Sequence, residues 1–271
     1  VTTVAHLLRA CGLPRAEAQA LLAHLLGTGR EQLVAHPQRA VDAGRARDFA
    51  ALAERRRGGE PLAYLLGQRE FYGRRFAVTP AVLIPRPETE LLVEVGLESI
   101  AALSEPAVLE LGAGCGCVAI TLALQRSAAR VTAVERSPEA LALARANALA
   151  LGATLRWIEG DWFERVDGVF DLIVANPPYV RTGDPHLADL AFEPAAALVS
   201  GADGLDDLRR IVAGAPAHLR PGGWLAVEHG YDQAGAVAAL FAAAGFERIA
   251  CRRDLQRHPR VSCGRRRADS G

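Results

Sequence analysis

The chain has 271 residues, half of them apolar and 23% charged, with 31 basic side chains balanced by 31 acidic ones. That composition excludes a disordered chain, and the balance gives no sign of a polyelectrolyte that coats nucleic acid or a membrane. Every basic residue is Arg, so Schiff-base chemistry, a pyridoxal-phosphate anchor and a Walker-type phosphate lysine are excluded together. Met is absent too, even at position 1, where Val1 suggests a non-AUG start codon. The five cysteines, Cys11, Cys115, Cys117, Cys251 and Cys263, form no C-x-x-C pair, and no charged-then-apolar signal opens the chain. A reducing, cytoplasmic compartment is therefore expected. No apolar run reaches the roughly 18–20 residues that span a bilayer. No two of the seven histidines stand at a zinc-ligand spacing, so neither a membrane nor a metal is expected.

Residues 1–67 read as a helical domain. Leu7-Leu8, Ala18, Leu21-Leu22 and Leu25-Leu26 recur at three-to-four spacing and draw one apolar stripe. Pro14 suits the first turn of a second helix, and Gly27 with Gly29 suits its end. An Ala-, Leu- and Arg-rich stretch from Ala40 to Arg57 stops at Gly58-Gly59. Residues 68–89 read as a β-hairpin linker, with two short strands turning near Gly73 and then Ile84-Pro85-Arg86-Pro87, whose prolines impose an extended backbone.

Over 90–271 strand-like and helix-like segments alternate. Val108–Leu111, Arg130–Val134, Leu155–Ile158, Phe170–Ala175 and Trp224–Val227 read as strands, with helices near Pro138–Leu151, Leu205–Leu219 and Ala234–Ala244. Short strands near Phe246–Ala250 and Arg260–Cys263 follow, and Arg265-Arg266-Arg267 reads as a solvated end. The pattern predicts an α/β class: a mostly parallel, doubly wound Rossmann-like sheet with helices on both faces.

The first predicted strand of that region runs into Gly112-Ala113-Gly114-Cys115-Gly116. Glycines there let the backbone turn sharply and approach a ligand closely. The spacing is wrong for a dinucleotide fingerprint, and without lysine it is no P-loop. About twenty residues on, Glu135 ends the next strand, where a carboxylate can accept both hydroxyls of a ribose. Asp161-Trp162, after the third strand, offers an acceptor for an adenine amino group and an aromatic edge for its ring. Together they describe a nucleoside held without a pyrophosphate, as in S-adenosyl-L-methionine. Cys115 and Cys117 suit a tight helix start.

Asn176-Pro177-Pro178-Tyr179 follows the fourth strand, at the carboxyl edge where such sheets bind ligands. Methyl transfer from a sulfonium needs no metal and no acid for its leaving group. The difficulty lies in a planar nitrogen nucleophile with a delocalised lone pair. The Asn176 side-chain oxygen and a carbonyl of Pro177 can each accept one N–H of that nitrogen and stabilise charge growing on it. Pro177 and Pro178 stiffen the loop, and Tyr179 offers a ring face to a flat substrate.

On these blocks the chain resembles the peptide chain release factor glutamine methyltransferases of the PrmC/HemK type. The resemblance runs through Gly67–Gly73, Ile84–Glu90, Gly160-Asp161-Trp162, Asn176–Val180, Phe192-Glu193-Pro194 and Glu228-His229-Gly230. It implies the class I methyltransferase fold over 90–271, with S-adenosyl-L-methionine held by Gly112 to Gly116, Glu135, Trp162 and Asn176 and left as S-adenosyl-L-homocysteine. It implies a substrate glutamine, from the GGQ motif of a class 1 release factor, held by Asn176 to Tyr179. Arg86 and Glu88 would lie near the mouth, and residues 1–67 with the hairpin would help to dock the factor. A cytoplasmic monomer that uses no nucleic acid is expected. Glu135 stands where an Asp is more usual, and Cys115 and Cys117 are unusual in the turn; neither removes a needed group.

Two other readings fit parts of the chain. An adenine or cytosine amino-methyltransferase acting on DNA or RNA also uses an Asn-Pro-Pro-Tyr loop, but it calls for a basic groove and a target-recognition segment. A non-enzymatic nucleoside-binding module would have no use for an intact Asn176.

Overall fold

The computed structural model describes residues 2–268; Val1, with the start-codon reading it carries, and residues 269–271 lie outside the described residues. The chain divides into two compact units, residues 1–69 and 70–271.

The first unit is helical: α1 (Val4–Ala10), α2 (Arg15–Leu26), α3 (Arg30–Ala35), α4 (Ala43–Arg57) and α5 (Leu62–Leu66). Thr3 caps α1, Asp42 caps α4, and Gly27 ends α2 in the left-handed region. Leu7, Ala18, Leu21, Leu22, Leu33, Phe49 and Leu65 meet in one core. Arg56 clamps Glu17 through two hydrogen bonds of 2.8 and 3.1 Å, tying α4 to α2. The short helices α3 and α5 escape a periodicity argument because neither is long enough to repeat a stripe.

A hairpin follows, β1 (Gln68–Phe71) and β2 (Arg74–Ala77), joined by Tyr72 and Gly73. Both loop residues have positive φ, 51° and 72°, as two-residue hairpins with the twist of their strands require. The unit boundary falls at Glu70, so most of the segment read above as a linker over 68–89 is part of the larger unit. Glu90 accepts the Tyr72 N–H at 2.7 Å.

The rest of the larger unit runs α6 (Glu90–Ser99), β3 (Ala107–Leu111), α7 (Cys117–Gln125), β4 (Arg130–Glu135), α8 (Pro138–Leu151), β5 (Arg156–Glu159), β6 (Phe170–Ala175), α9 (Asp206–His218), β7 (Leu219–Glu228), α10 (Ala234–Ala243), β8 (Glu247–Arg253) and β9 (Pro259–Arg265). Among the described residues, seven strands form one sheet in the order β5-β4-β3-β6-β7-β9-β8. All neighbours from β5 to β7 pair parallel, and β9 pairs antiparallel to both β7 and β8. β3 is buried along its whole length and β4 from its second residue on, which is why both read as apolar runs rather than alternating ones. α8 shows how the helices are punctuated: Ser137 caps its start, Pro138 occupies the first turn and Gly152 closes it in the left-handed region.

Of the Arg-rich end only Arg267 is exposed; Arg265 and Arg266 are not a solvated tail. Arg265 ends β9 and donates to the Gly222 carbonyl at 3.0 Å, and the Arg266 backbone exchanges hydrogen bonds with Gly222 and Gly223. Backbone pairing that continues past β9 sets this, and composition carries no sign of it. No helix among the described residues is long and apolar enough to cross a membrane.

One buried polar side chain ties the hairpin to the glycine turn. Asn147 on α8, 3% exposed, accepts the Ala77 N–H at 2.8 Å and donates to the carbonyls of Ala77 at 3.0 Å and Cys115 at 2.9 Å. Asn147→Ala removes three hydrogen bonds to the backbone and leaves the buried Cys115 carbonyl without this partner, so we expect it to destabilise the larger unit by about 2–4 kcal/mol. Denaturant unfolding of the full chain checks this, and a loss within experimental scatter of zero would show the tie to be dispensable.

Candidate active site

β3 and β6 are neighbours whose chains leave in opposite directions along the sheet, the arrangement that opens a crevice at the carboxyl ends of parallel strands. Leu111 and Ala175 are paired in register, so Gly112 and Asn176, the next residues on each strand, emerge side by side. A cavity of about 1100 Å³, open to solvent, lies there. Its wall includes Arg86, Gly112, Ala113, Gly114, Cys115 and Glu135. Asp161, Trp162, Asn176 and Pro178 complete the set of expected site residues that line it.

Four expected site residues do not line that cavity. Gly116 sits at the start of α7 at φ 83°, where an added Cβ would come within 2.8 Å of Ile120 Cδ1 and 3.2 Å of the Ala144 Cβ; it is a packing glycine. Pro177 is buried. Tyr179 packs against the core instead of showing its ring to the cavity, and its hydroxyl donates to Glu228 Oε1 at 3.3 Å. Glu88, half-buried, lies close enough to Glu228 to repel it.

The glycine turn is shaped by close approach. Gly112, at φ 74°, lies under the Trp162 ring, and a Cβ there would meet Trp162 Cζ3 at 3.1 Å. Trp162 itself is held at φ 50° and donates its indole N–H to Asp207 at 3.2 Å. Glu135 accepts the Gly114 N–H at 2.8 Å on one oxygen and the Ser137 N–H at 2.9 Å on the other. One lone pair on each oxygen is left for a ligand. Asp161 accepts from Arg210 at 2.5 Å through Oδ2, while its Oδ1 is buried without a partner.

Asn176 has the same asymmetry. Its Nδ2 donates to Thr89 Oγ1 at 3.2 Å, whereas its Oδ1 is buried with no hydrogen-bond partner. Buried acceptors in native proteins are nearly always paired, so two orphaned oxygens in one cavity mark positions built for N–H donors of a ligand. Glu228, buried at the end of β7, accepts from Tyr179 on Oε1, and its Oε2 has no hydrogen-bond partner.

Burial governs the charges here. It pushes the Glu228 carboxyl up to about 7, against the neighbouring Thr89 and Tyr179 hydroxyls that hold it down. It raises Glu110, under the glycine turn, well above the ordinary carboxylate range, although that carboxyl accepts the Ala119 N–H at 2.9 Å. Burial and then Glu228 raise Tyr179, so it stays a phenol and a donor. The Cys117 thiol is raised by its hydrogen bond to Cys115 and by burial, which makes it inert as a nucleophile.

Sequence reasoning did not assign roles to Thr89, Glu110, Glu193 or Glu228. Glu193 accepts the Ile84 N–H at 2.9 Å and pairs with Arg86, so it fastens the proline-rich segment beside the cavity. Three of the four stand inside blocks that carried the family resemblance, which was the available signal; a buried acid among apolar residues was the signal for Glu110.

Two family models match the chain, the PrmC N-terminal domain over residues 1–67 and the methyltransferase small domain over residues 88–234. The release factor glutamine methyltransferase of Burkholderia pseudomallei is 50% identical, over 97% of this chain and 96% of its own length. That of Bordetella pertussis is 48% identical, over 97% and 99%. Among solved structures, the hMettl16 catalytic domain superposes with a TM-score of 0.61 at 14% identity, over 82% of this chain and 83% of that one. A methyltransferase from Pyrococcus furiosus does so at 0.56 and 17% identity, over 79% and 99%. Likeness that remote carries the class I methyltransferase fold alone. Identity near one half across both units goes further: the chain belongs to the release factor glutamine methyltransferase family.

Proposed function

We propose that this protein transfers a methyl group from S-adenosyl-L-methionine to the side-chain amide nitrogen of the GGQ glutamine in class 1 release factors, in support of translation termination, and that it does so as a cytoplasmic monomer. One observation carries the mechanism: an orphaned, buried Asn176 Oδ1 on the cavity wall, one residue beyond the strand that pairs with the glycine-turn strand.

The residues present fit the cofactor. The unpartnered Asp161 Oδ1 suits an adenine amino group. The free lone pairs of Glu135 suit the two ribose hydroxyls, and Gly112 and Gly114 leave the turn bare for close approach. Trp162, fixed by its own hydrogen bond, supplies an aromatic wall. When bound, S-adenosyl-L-methionine supplies a methyl carbon on a sulfonium whose leaving group departs neutral.

The chain's task is then to present the nitrogen. An amide nitrogen is a poor nucleophile because its lone pair is shared with the carbonyl. Asn176 Oδ1 accepts one of its N–H groups, stabilises the positive charge that grows on nitrogen and holds it on the line of attack. Arg86 and Pro178 bound the entry for the substrate loop.

Incubating the protein with labelled cofactor, a release factor and nucleic acid together, followed by peptide mapping, should place the label on the GGQ glutamine. Label on nucleic acid alone would favour the amino-methyltransferase reading instead. Asn176→Ala is expected to lower kcat by roughly 10²–10³, the loss typical of one transition-state hydrogen bond. Near-normal turnover would mean that something else orients the amide. Glu135→Ala should raise the cofactor Kd by about tenfold or more, since it removes a ribose partner and the anchor of the Gly114 N–H; calorimetry showing unchanged affinity would contradict that role.

A further inference from the structure

We propose that the tip of the β8–β9 hairpin, with Leu255 at its point and Arg253 and Arg257 beside it, is a docking element that seats the methyl-accepting release factor against the catalytic edge. The proposal rests on the reading of Asn176 as the cradle for a glutamine that a protein carries.

Register puts the hairpin at that edge. Ala175 stands level with Val227 across the sheet, and Val227 with Ser262. Asn176, one residue on, is therefore level with Glu228 and Val261. The hairpin runs past that level to the pair Pro259 and Arg253, about 7 Å farther, before the chain turns. Its tip lies two to three strand spacings from β6, about 10–14 Å to the side. A protein partner typically covers roughly 800 Å² of one surface, a disc about 16 Å in radius. Such a partner meets the tip once its glutamine reaches Asn176.

The surface between cradle and tip is continuous. Gln233 donates to the Tyr179 carbonyl at 3.0 Å and accepts the Gly230 N–H at 2.8 Å, so it joins the Asn-Pro-Pro-Tyr loop to the turn after β7. The next residue, Tyr231, is 60% exposed and sets its ring against His258 of the hairpin, with centroids 5.9 Å apart.

The tip is braced from within. One oxygen of Asp254 accepts the N–H groups of Gln256 and His258, both at 2.9 Å, and the other accepts from Arg260 at 3.0 Å. The Arg253 guanidinium donates to the Arg257 carbonyl at 2.8 Å. What this bracing holds out is Leu255, fully exposed at the point of the turn. The leucine adds nothing to the core, whereas an apolar side chain on a rigid loop binds a partner at low entropic cost. Arg257 is kept at φ 66°, a left-handed position that glycine takes without strain. Among the described residues neither Arg253 nor Arg257 pairs with a carboxylate, and both are exposed, while Asp254 is matched by Arg260. The surface that fits is an apolar pocket for Leu255 with an acidic rim.

Steady-state kinetics of the full-length protein with an intact release factor test this. Leu255→Ser, Arg257→Glu and Arg257→Gly should each raise KM for the factor about tenfold or more. The kcat at saturating factor and the cofactor Kd should stay within about twofold, because these side chains stand outside the cavity. All three changes are at exposed positions, so Tm should stay within about 3 °C of the parent. Calorimetric titration of the factor into the parent and into Leu255→Ser needs no turnover and should show the same loss of affinity.

A KM and an affinity that none of the variants moves would overturn the docking element and leave the methyl-transfer reading standing. So would a fall in kcat at unchanged KM. Sedimentation in which the parent pairs with itself and Leu255→Ser does not would overturn it too, because a second copy would then cover the leucine. A parent that labels nucleic acid and leaves the factor unlabelled would remove the reading of the acceptor, and the docking element with it.

Discussion

The site depends on a single topological constraint, the reversal of strand order between β3 and β6. Parallel strands that share an edge but whose connections run to opposite sides cannot close over their own carboxyl ends. The register fixes what stands at that opening, because Leu111 faces Ala175 and the following residues begin the glycine turn and the Asn-Pro-Pro-Tyr loop. A slip of one residue in this pairing would bring a different side chain to the mouth on one strand only. The fully buried length of β3 and the four consecutive buried residues of β6 resist such a slip.

Around that opening, the fold places polar side chains where each is held by the protein on one side and free on the other. Glu135 steadies Gly114 and Ser137, and Asp161 is anchored by Arg210. Asn176 leans on Thr89. None of these groups has to be reorganised when a ligand arrives, which is how a preorganised site avoids the reorientation that water would demand. Glu193 does the same for the proline-rich segment, where the Arg86 guanidinium and the Ile84 N–H both find one buried carboxylate.

Much of this was legible in the residues. Caps and glycines located the long helices, apolar runs located β3, β4 and β6, and the order of glycine turn, acid and tetrapeptide predicted one shared edge. What escaped depended on contacts distant in sequence. Tyr179 looks like a stacking face beside three loop residues, but its hydroxyl meets a carboxylate 49 positions away. Asn147 looks like any polar residue of an amphipathic helix until Ala77 and Cys115 are folded against it. Gly116 reads as one more ligand-cradling glycine, yet Ile120 and Ala144 are what crowd it. Spacing predicts which strand end a residue occupies; it does not say which way the side chain turns once there.

The two consecutive prolines have a consequence of their own. An asparagine oxygen at a strand end ordinarily folds back onto the amide two residues ahead, closing a small local ring. Two positions beyond Asn176 stands Pro178, which has no amide hydrogen, and Pro177 between them has none either. Capture by either of these two neighbours is thus ruled out by covalent structure, whatever the loop's conformation. The chain spends two ring residues to keep one oxygen uncommitted.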